Sequence, residues 1–305
     1  MGRLLLRKKR TKIFDFGGMN VIMKKILKLF IPPILLKIYR LVVRGRFYGI
    51  AGNYSGWAEA EKHLKDIGYE GYSKPEIVSQ VLESIQAVRC GKATFERDGV
   101  LFNKSEYNYP LLAVLFRVML HCKQKNENIN VLDFGGSLGS TFFQNKEYLR
   151  DLMPFEWHIC EQPHFIEIGQ REIPEIKFHK DIRSYLGEGY SCDILLLSGV
   201  LQYFDDPMKW LADLLSYSFR YIVFDRTFFY SKDHNRLGIQ YIQPTIYDAC
   251  YPAWLLSQRK VYNLMEKEGY SLMDEWESID RINVKSNWFS HEIIPSKGAL
   301  FMKSI

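Results

Sequence analysis

The stretch LDFGGSLGS, residues 132–140, contains the residues best suited to hold a ligand. An apolar run ends there in an acidic residue, and small residues follow before a helical pattern begins. These residues are Asp133, Gly135, Gly136, Ser137 and Gly139. Small residues let the backbone turn tightly and approach a ligand, and the first turn of a helix offers free N–H groups. The stretch therefore predicts a cofactor loop.

The spacing of this loop excludes two common phosphate-binding motifs. GxGxxG is not formed because residue 134 is Phe and no three glycines have that spacing, and GxxxxGK[ST] occurs nowhere in the chain. A near copy, FDFGG at 14–18, has Val21 in the position equivalent to Gly139, and no alternation of strands and helices follows it. We interpret the near copy as coincidence.

Polar residues also end the following strand-like runs. Glu161 ends the second run, 28 residues after Asp133, where a carboxylate can accept hydrogen bonds from ribose hydroxyls. The alternative for Glu161 is an exposed acid at a strand end. The third and fourth runs are followed by Asp181, Ile182, Ser198, Gly199, Gln202 and Tyr203.

Asp133 with glycines two and six positions later resembles motif I, (D/E)xGxGxG, of class I S-adenosylmethionine (SAM)-dependent methyltransferases. Ser137 stands in place of the glycine four positions after the acid. The resemblance implies that SAM is the cofactor, that Asp181 and Ile182 border the adenine, and that the Ser198–Gly199 backbone lies near the methionine part. It also implies that Gln202 and Tyr203 face the reacting centre; for Tyr203, packing is an equal alternative.

Longer blocks resemble a family of bacterial methyltransferases that are commonly encoded among genes for surface polysaccharide synthesis. The blocks are GNYSGW, FERDGVLF, LDFGGSLGSTFFQNKEYL, LLLSGVLQYFDDP, FDRTFF and YPAWLLS. The resemblance runs from about residue 23 to the C-terminus. It implies a sugar of a surface polysaccharide, lipopolysaccharide or lipid-linked precursor as the acceptor.

Transfer of a methyl group to a hydroxyl requires a group that accepts the proton. Asp225, at the end of the fifth run, is a candidate for this base or for orienting the hydroxyl. Arg226 is a candidate for binding an anionic acceptor. The alternative for this pair is an internal salt bridge. His234 is a second candidate base because its side chain titrates near neutral pH, although a lone loop histidine is often incidental.

The elements that position these residues alternate along the chain. Short apolar runs lie at 130–134, 156–161, 175–179, 193–198 and 221–225, with helical stretches between them, and YSLMDEWE and GALFMK form a last strand pair. This alternation predicts a parallel sheet covered by helices. The resemblance implies, in detail, a Rossmann-like α/β fold of the class I methyltransferase type, with a mostly parallel, seven-stranded sheet and helices on both faces.

The chain is predicted to have three parts. Residues 1–50 form a basic amphipathic arm, residues 51–125 a helical layer and residues 126–305 the SAM-binding domain. The arm is distinguished by its charge, since residues 1–46 contain 13 Lys and Arg against one acid, while the remainder has 28 basic and 34 acidic residues.

Residues 24–46 of the arm have the pattern of an interfacial anchor that binds an anionic membrane surface. Charged residues and Pro32–Pro33 interrupt the stretch too often for a spanning helix. A helix packed on the body and an RNA-binding arm are the alternatives, although no nucleic-acid partner is expected. The five scattered cysteines favour the cytoplasm and no metal site.

The leading hypothesis is a cytoplasmic SAM-dependent methyltransferase, peripheral on the inner membrane, that O-methylates a sugar of a lipid-linked or surface glycan. The alternatives are a non-catalytic membrane-associated scaffold with the same fold, a sugar-modifying enzyme that uses NAD, and an RNA methyltransferase. The absence of GxGxxG counts against NAD. The sequence leaves the oligomeric state open.

Overall fold

The computed structural model describes residues 47–67, 75–103, 108–124, 129–150, 154–243, 246, 249–285 and 291–304. The chain divides into the units Met1–Phe47 and Tyr48–Ile305. The predicted anchor at 24–46 lies outside the described residues. Within the described ranges, no helix is both long and apolar enough to cross a membrane.

Thirteen strands lie in the described part of the chain. They are β1 (Gly49–Tyr54), β2 (Phe95–Arg97), β3 (Val100–Phe102), β4 (Ile129–Phe134), β5 (Phe155–Cys160), β6 (Lys177–His179), β7 (Ile194–Ser198), β8 (Tyr221–Thr227), β9 (Phe229–Tyr230), β10 (Arg236–Tyr241), β11 (Cys250–Ser257), β12 (Tyr270–Lys285) and β13 (His291–Lys303).

Eight α-helices lie in the same residues. They are α1 (Trp57–Asp66), α2 (Pro75–Arg89), α3 (Tyr109–Gln124), α4 (Ser140–Leu149), α5 (Pro163–Glu172), α6 (Ile182–Gly187), α7 (Pro207–Leu215) and α8 (Gln258–Lys267). A short 3₁₀ helix, Leu201–Tyr203, follows β7.

One large sheet has the strand order β6-β5-β4-β7-β8-β13-β12-β1-β10-β11-β9. The first five strands are mutually parallel, and their order relative to the chain is the 3-2-1-4-5 order of Rossmann folds. Strand β13 is antiparallel to both β8 and β12. The predicted Rossmann-like α/β fold is therefore confirmed, and the carboxyl ends of β4 to β8 meet at one edge.

The sheet is larger than the seven strands that were predicted. The seven strands from β6 to β12 are continued by β1, β10, β11 and β9 to give eleven. Strand β1 lies in a Gly- and Asn-rich stretch that resembles a connector, and pairing with β10 and β12 makes it a strand. The predicted helical layer at 51–125 contains α1 to α3, but it also contains β2, β3 and most of β1.

The β2–β3 hairpin is closed by Asp98 and Gly99. Arg97 pairs with Val100, so the loop has two residues, and φ is +52° at Asp98 and +75° at Gly99. Positive φ at both positions is the requirement of a type I′ turn, for which Asp-Gly is a preferred sequence. The hairpin is thus specified locally by its turn.

The sheet buries both of its faces against helices. On β4, Val131 belongs to a cluster with the apolar faces of α2 to α5, and Leu132 belongs to a second cluster with α6 to α8. Neighbouring residues of a strand point to opposite faces, so a strand covered on both sides must be apolar throughout. This explains why β4 and β7 are mostly apolar and confirms helices on both faces.

Candidate functional site

The loop after β4 has the tight path that its small residues predict. The Gly135 N–H donates to the Cys160 carbonyl at 2.9 Å, and the Gly139 N–H donates to the Gly136 carbonyl at 2.9 Å. The backbone has positive φ at Gly135 (+73°), Ser137 (+53°) and Gly139 (+94°). Ser137 therefore adopts the left-handed conformation that a glycine would accommodate more easily, and the loop then opens α4 at Ser140.

The glycines of this loop also allow close packing. A Cβ on Gly136 would lie 2.6 Å from the Asp133 carboxylate, and one on Gly139 would lie 2.3 Å from the Cδ1 of Ile176. A Cβ on Gly135 would lie 2.7 Å from Val200, which follows β7. The loop consequently fits closely against Asp133, Val200 and Ile176.

Asp133 is a buried carboxyl at the end of β4. Its exposed fraction is 1%, and neither carboxylate oxygen has a donor among the residues that the structure describes. Burial raises the pKa of Asp133 to about 7, and the nearby Trp157 indole only partly offsets this. Buried polar groups are almost always satisfied, so Asp133 is suited to a ligand that brings a donor or a positive charge.

Glu161 connects the end of β5 to the loop. Its carboxylate accepts from the Ser137 N–H at 3.2 Å and from the Gln162 N–H at 2.6 Å. Burial raises its pKa. A carboxylate has about four acceptor positions, so two remain for other donors such as ribose hydroxyls. The Ser137 hydroxyl oxygen is buried without a partner in the described structure.

The end of β7 presents a further unsatisfied group. The Gly199 N–H donates to the Asp225 carbonyl at 2.9 Å, with φ +64° at Gly199. Gln202 is 1% exposed; its amide N–H donates to the Arg226 carbonyl at 3.3 Å, and its side-chain oxygen has no partner among the described residues. Ser198 donates to the Asp225 carboxylate at 3.2 Å. The structure thus brings these residues to the edge where Asp133 lies.

Tyr203, Asp181 and Ile182 have structural contacts of their own. The Tyr203 hydroxyl donates to Gln240 at 3.0 Å, and burial raises the pKa of the phenol to about 12. The Asp181 carboxylate caps α6 by accepting from the Ser184 N–H at 2.7 Å, and Ile182 is buried in the core. The predicted adenine contacts of Asp181 and Ile182 therefore compete with capping and packing.

Asp225 is the most extensively bonded carboxylate at the strand ends. It is buried, and it accepts hydrogen bonds from Asn108 at 2.9 and 3.0 Å, from Ser278 at 2.8 Å and from Ser198 at 3.2 Å. Burial raises its pKa, and these hydrogen bonds oppose the rise. Its acceptor positions are filled, so its geometry is that of a residue that positions three elements and not that of a free base.

Arg226 forms the internal ion pairs that the sequence offered as the alternative to anion binding. Its guanidinium donates to Asp98 at 3.0 Å and to Asp280, and Arg97 pairs with Asp280 at 3.3 Å. The side chain of Arg226 is 27% exposed. Its two carboxylate partners already neutralise it, so binding of an anionic acceptor would require it to leave them.

His234 does not join this group of residues. It lies exposed in the loop between β9 and β10, where its ring packs edge-on against Tyr230 with 5.9 Å between ring centroids. The structure therefore brings Asp225, Arg226, Gln202 and the cofactor loop together and leaves His234 outside.

Five residues of the assembly were missed by the sequence reasoning: Glu96 and Asp98 of the hairpin, Asn108 before α3, and Ser278 and Asp280 of β12. The hairpin was detectable, since Asp98-Gly99 is a strong signal of a two-residue turn. No local signal marks Asn108 or Asp280, because their partners are more than 50 residues away in the sequence. Across the described ranges, no group of three or more His, Cys, Asp or Glu has the arrangement of a metal site.

No protein-family model and no curated protein matches the chain. Three similar solved structures are all methyltransferases by description. Magnesium protoporphyrin IX methyltransferase from Synechocystis PCC 6803 with bound SAH is 11% identical over 63% of this chain and 83% of that one, with a TM-score of 0.38. A SAM-dependent methyltransferase from Methanosarcina mazei is 10% identical over 58% and 93%, with a TM-score of 0.41.

The third structure is the glycopeptide N-methyltransferase MtfA complexed with SAM. It is 8% identical over 62% of this chain and 93% of that one, with a TM-score of 0.42. Sequence identities and TM-scores this low do not allow the activity of these proteins to be assigned to this chain. The site must be interpreted from its own residues.

The raised pKa of Asp133 predicts that Asp133→Asn changes how stability depends on pH. Above about pH 4 the unfolded carboxyl loses its proton, whereas the folded one keeps it until about pH 7, so the folded wild type loses stability across this window. The variant has no such proton. Its free energy of unfolding, relative to wild type, should therefore increase by roughly 2 kcal/mol between pH 5 and pH 7.5.

Urea unfolding at the two pH values measures this difference. Asp213→Asn, which makes the same chemical change at an exposed position in α7, is the matched control and should show no comparable increase. An equal difference between Asp133→Asn and wild type at both pH values would contradict the raised pKa.

Proposed function

We propose that the chain is a SAM-dependent methyltransferase. The observation that carries the proposal is the presence of three carboxyls, the buried Asp133 and Asp225 and the half-buried Glu161, at the ends of three strands of one sheet edge. Burial raises the pKa of each, and repulsion from Glu161 and Asp225 raises that of Asp133 further. A ligand that brings positive charge stabilises their ionised forms.

The charge of these strand ends distinguishes SAM from NAD. SAM has an ammonium and a sulfonium against one carboxylate, whereas NAD has a diphosphate, which the buried acids would repel. The usual dinucleotide-binding loop of Rossmann folds has GxGxxG spacing, which this chain lacks. The acid-rich edge therefore favours the adenosyl sulfonium cofactor over the dinucleotide.

The residues present fit such a cofactor. Glu161 has acceptor positions for the ribose hydroxyls, while the unpaired Ser137 hydroxyl and Gln202 oxygen offer further hydrogen bonds. The Asp133 carboxyl, which has no partner among the described residues, lies against the loop at Gly136 and provides negative potential there when it is ionised. Asp181 and Ile182, after β6, remain the proposed border of the adenine. When bound, SAM supplies an activated methyl group for in-line transfer.

On the acceptor side, the protein's task is to hold the accepting atom in line and to remove its proton. Asp225 holds Asn108, Ser278 and Ser198 and thereby fixes the wall of the site, so we assign it a positioning role. Arg226, fixed by Asp98 and Asp280, lies beside Gln202. The pKa of Tyr203 is about 12, so near neutral pH its phenol is a hydrogen-bond donor and not a base.

The proposed acceptor is a sugar hydroxyl of a surface polysaccharide, lipopolysaccharide or lipid-linked precursor. The support is the resemblance of the blocks from GNYSGW to YPAWLLS to the polysaccharide-associated family. The proposed location is the cytoplasmic face of the inner membrane, to which the basic residues at 24–46 would bind through anionic lipid. A membrane-bound enzyme would meet a lipid-linked glycan where that glycan is made.

Cofactor binding is predicted to be selective. Calorimetric titration of wild type should show binding of SAM and S-adenosylhomocysteine and none of NAD. Asp133→Asn should weaken both by about 10- to 100-fold, because a charge-assisted contribution is lost, and Asp213→Asn should leave them unchanged. Binding of NAD alone would overturn the proposal, and binding of none of the three would favour the non-catalytic scaffold.

The proposed acceptor predicts a change in the mass of a cell-surface glycan. Deletion of the gene should leave a cell-surface glycan lighter by one methyl group per repeat, and wild type but not Asp133→Asn should restore the mass. An unchanged glycan mass would refute this acceptor class. RNA binding that weakens steeply with salt would favour the RNA methyltransferase instead.

Membrane binding is predicted to depend on the basic arm. The full chain should float with liposomes that contain anionic lipid and should remain unbound with neutral ones, because the attraction is electrostatic as well as apolar. A variant without residues 1–46 should bind neither. Equal flotation of both proteins would show that the arm is not the anchor.

A further inference from the structure

Glu96 of β2 is a buried carboxyl that hydrogen-bonds only to neutral donors within the described structure. Its exposed fraction is 3%. It accepts from the hydroxyl of Ser140 and from the Gly99 N–H at 3.0 Å. Glutamate is almost never fully buried without a cationic partner. Burial raises the pKa of Glu96 to about 7.

The two arginines near Glu96 are bound to other acids. Arg97 pairs with Asp280, and Arg226 pairs with Asp98 and Asp280. The positive charge of Arg226 lowers the pKa of Glu96, but this contribution is the smallest of several. The negative charge of Asp98 raises the same pKa. Among the described residues, Glu96 therefore forms no ion pair, and both nearby arginines are already paired with other acids.

Glu96 contacts the residue that directly follows the cofactor loop. Ser140, its hydrogen-bond partner, is the first residue of α4, directly after the loop. Glu161 lies at the end of β5, on one side of β4 in the sheet. Arg226, whose charge acts on Glu96, lies in β8, on the other side of β4. Glu161 thus contacts the loop at Ser137, and Glu96 contacts Ser140, the residue that follows the loop.

An adenosyl amino acid has two ends that differ in their donors. If Glu161 held the ribose hydroxyls, the amino-acid end would need a different partner near the loop. Two positive groups belong to that end of SAM, but the sulfonium has no hydrogen to donate. The α-ammonium has three donors and is the group that a buried carboxylate can both neutralise and hydrogen-bond.

We propose that Glu96, from the β2–β3 hairpin, binds the α-ammonium of the cofactor's amino-acid part. The hairpin would then be a wall of the cofactor site and would connect it to the acceptor side through Asp98 and Arg226. This inference rests on the proposed function, since it concerns the same cofactor. It adds a ligand-binding residue that lies outside the motif at the end of β4.

Two ligands that differ only in the amino-acid part test the proposal. S-adenosylhomocysteine has the ammonium and carboxylate, whereas 5′-methylthioadenosine lacks both, and neither has a charged sulfur. Calorimetric titration of wild type and Glu96→Gln with each ligand separates the two ends of the site. Asp98→Asn, on the same hairpin, is the control for loss of the ion pair to Arg226.

Glu96→Gln should weaken S-adenosylhomocysteine by about 10- to 100-fold and methylthioadenosine by less than about twofold. Asp98→Asn should have a smaller effect on S-adenosylhomocysteine. Equal weakening of both ligands by Glu96→Gln would show that Glu96 only supports the fold of the site, and no weakening of either would exclude it as a ligand. Each result would overturn the inference.

Failure of the proposed function has a different signature, because wild type would then bind neither ligand. Glu96→Gln keeps the shape of the side chain and removes a buried charge, so it is expected to fold. Glu96→Asp is a second variant, which keeps the charge but shortens its reach. It should weaken S-adenosylhomocysteine less than Glu96→Gln does, and a greater loss would also overturn the inference.

Discussion

Burial of carboxyl groups without cations beside them is the constraint on which the site depends. Asp133 and Glu96 are both nearly inaccessible, and burial raises the pKa of each to about 7. Such groups destabilise the ionised protein, because a buried charge needs a partner. A protein that keeps both of them beside the loop after β4 is suited to a ligand with positive charge. The folded chain thus bears a cost in stability that the cofactor would remove.

The surrounding structure keeps this site in place. The loop after β4 can lie against Asp133 only because Gly136 has no side chain, and Glu161 holds the same loop through the Ser137 N–H. On the other side, Asp225 ties β8 to Asn108 and Ser278, and Arg226 joins the hairpin to β12. Both ion-pair partners of Arg226 are acids, so its positive charge is already neutralised.

The central sheet was predictable because its information is local. Strands covered on both faces appear as short apolar runs, and the polar residues that end them mark the ligand edge. The four added strands were not predictable, since β1 and β10 become strands only through pairing. The role of Asp225 was not predictable for the same reason. Its hydrogen-bond donors come from distant parts of the chain and fill the acceptor positions that a free base needs. The sequence therefore indicated that Asp225 ends a strand, but not that its carboxylate is already occupied.

The most direct test of the central claim is the number of protons released when SAM binds. Calorimetric titration at pH 6.5 in buffers of different ionisation enthalpy gives this number. At that pH the α-ammonium is fully protonated, and carboxyls with a pKa of about 7 are largely protonated too. Binding of the cation should lower their pKa and release roughly one proton per SAM. Binding without release, or with uptake of protons, would contradict the account.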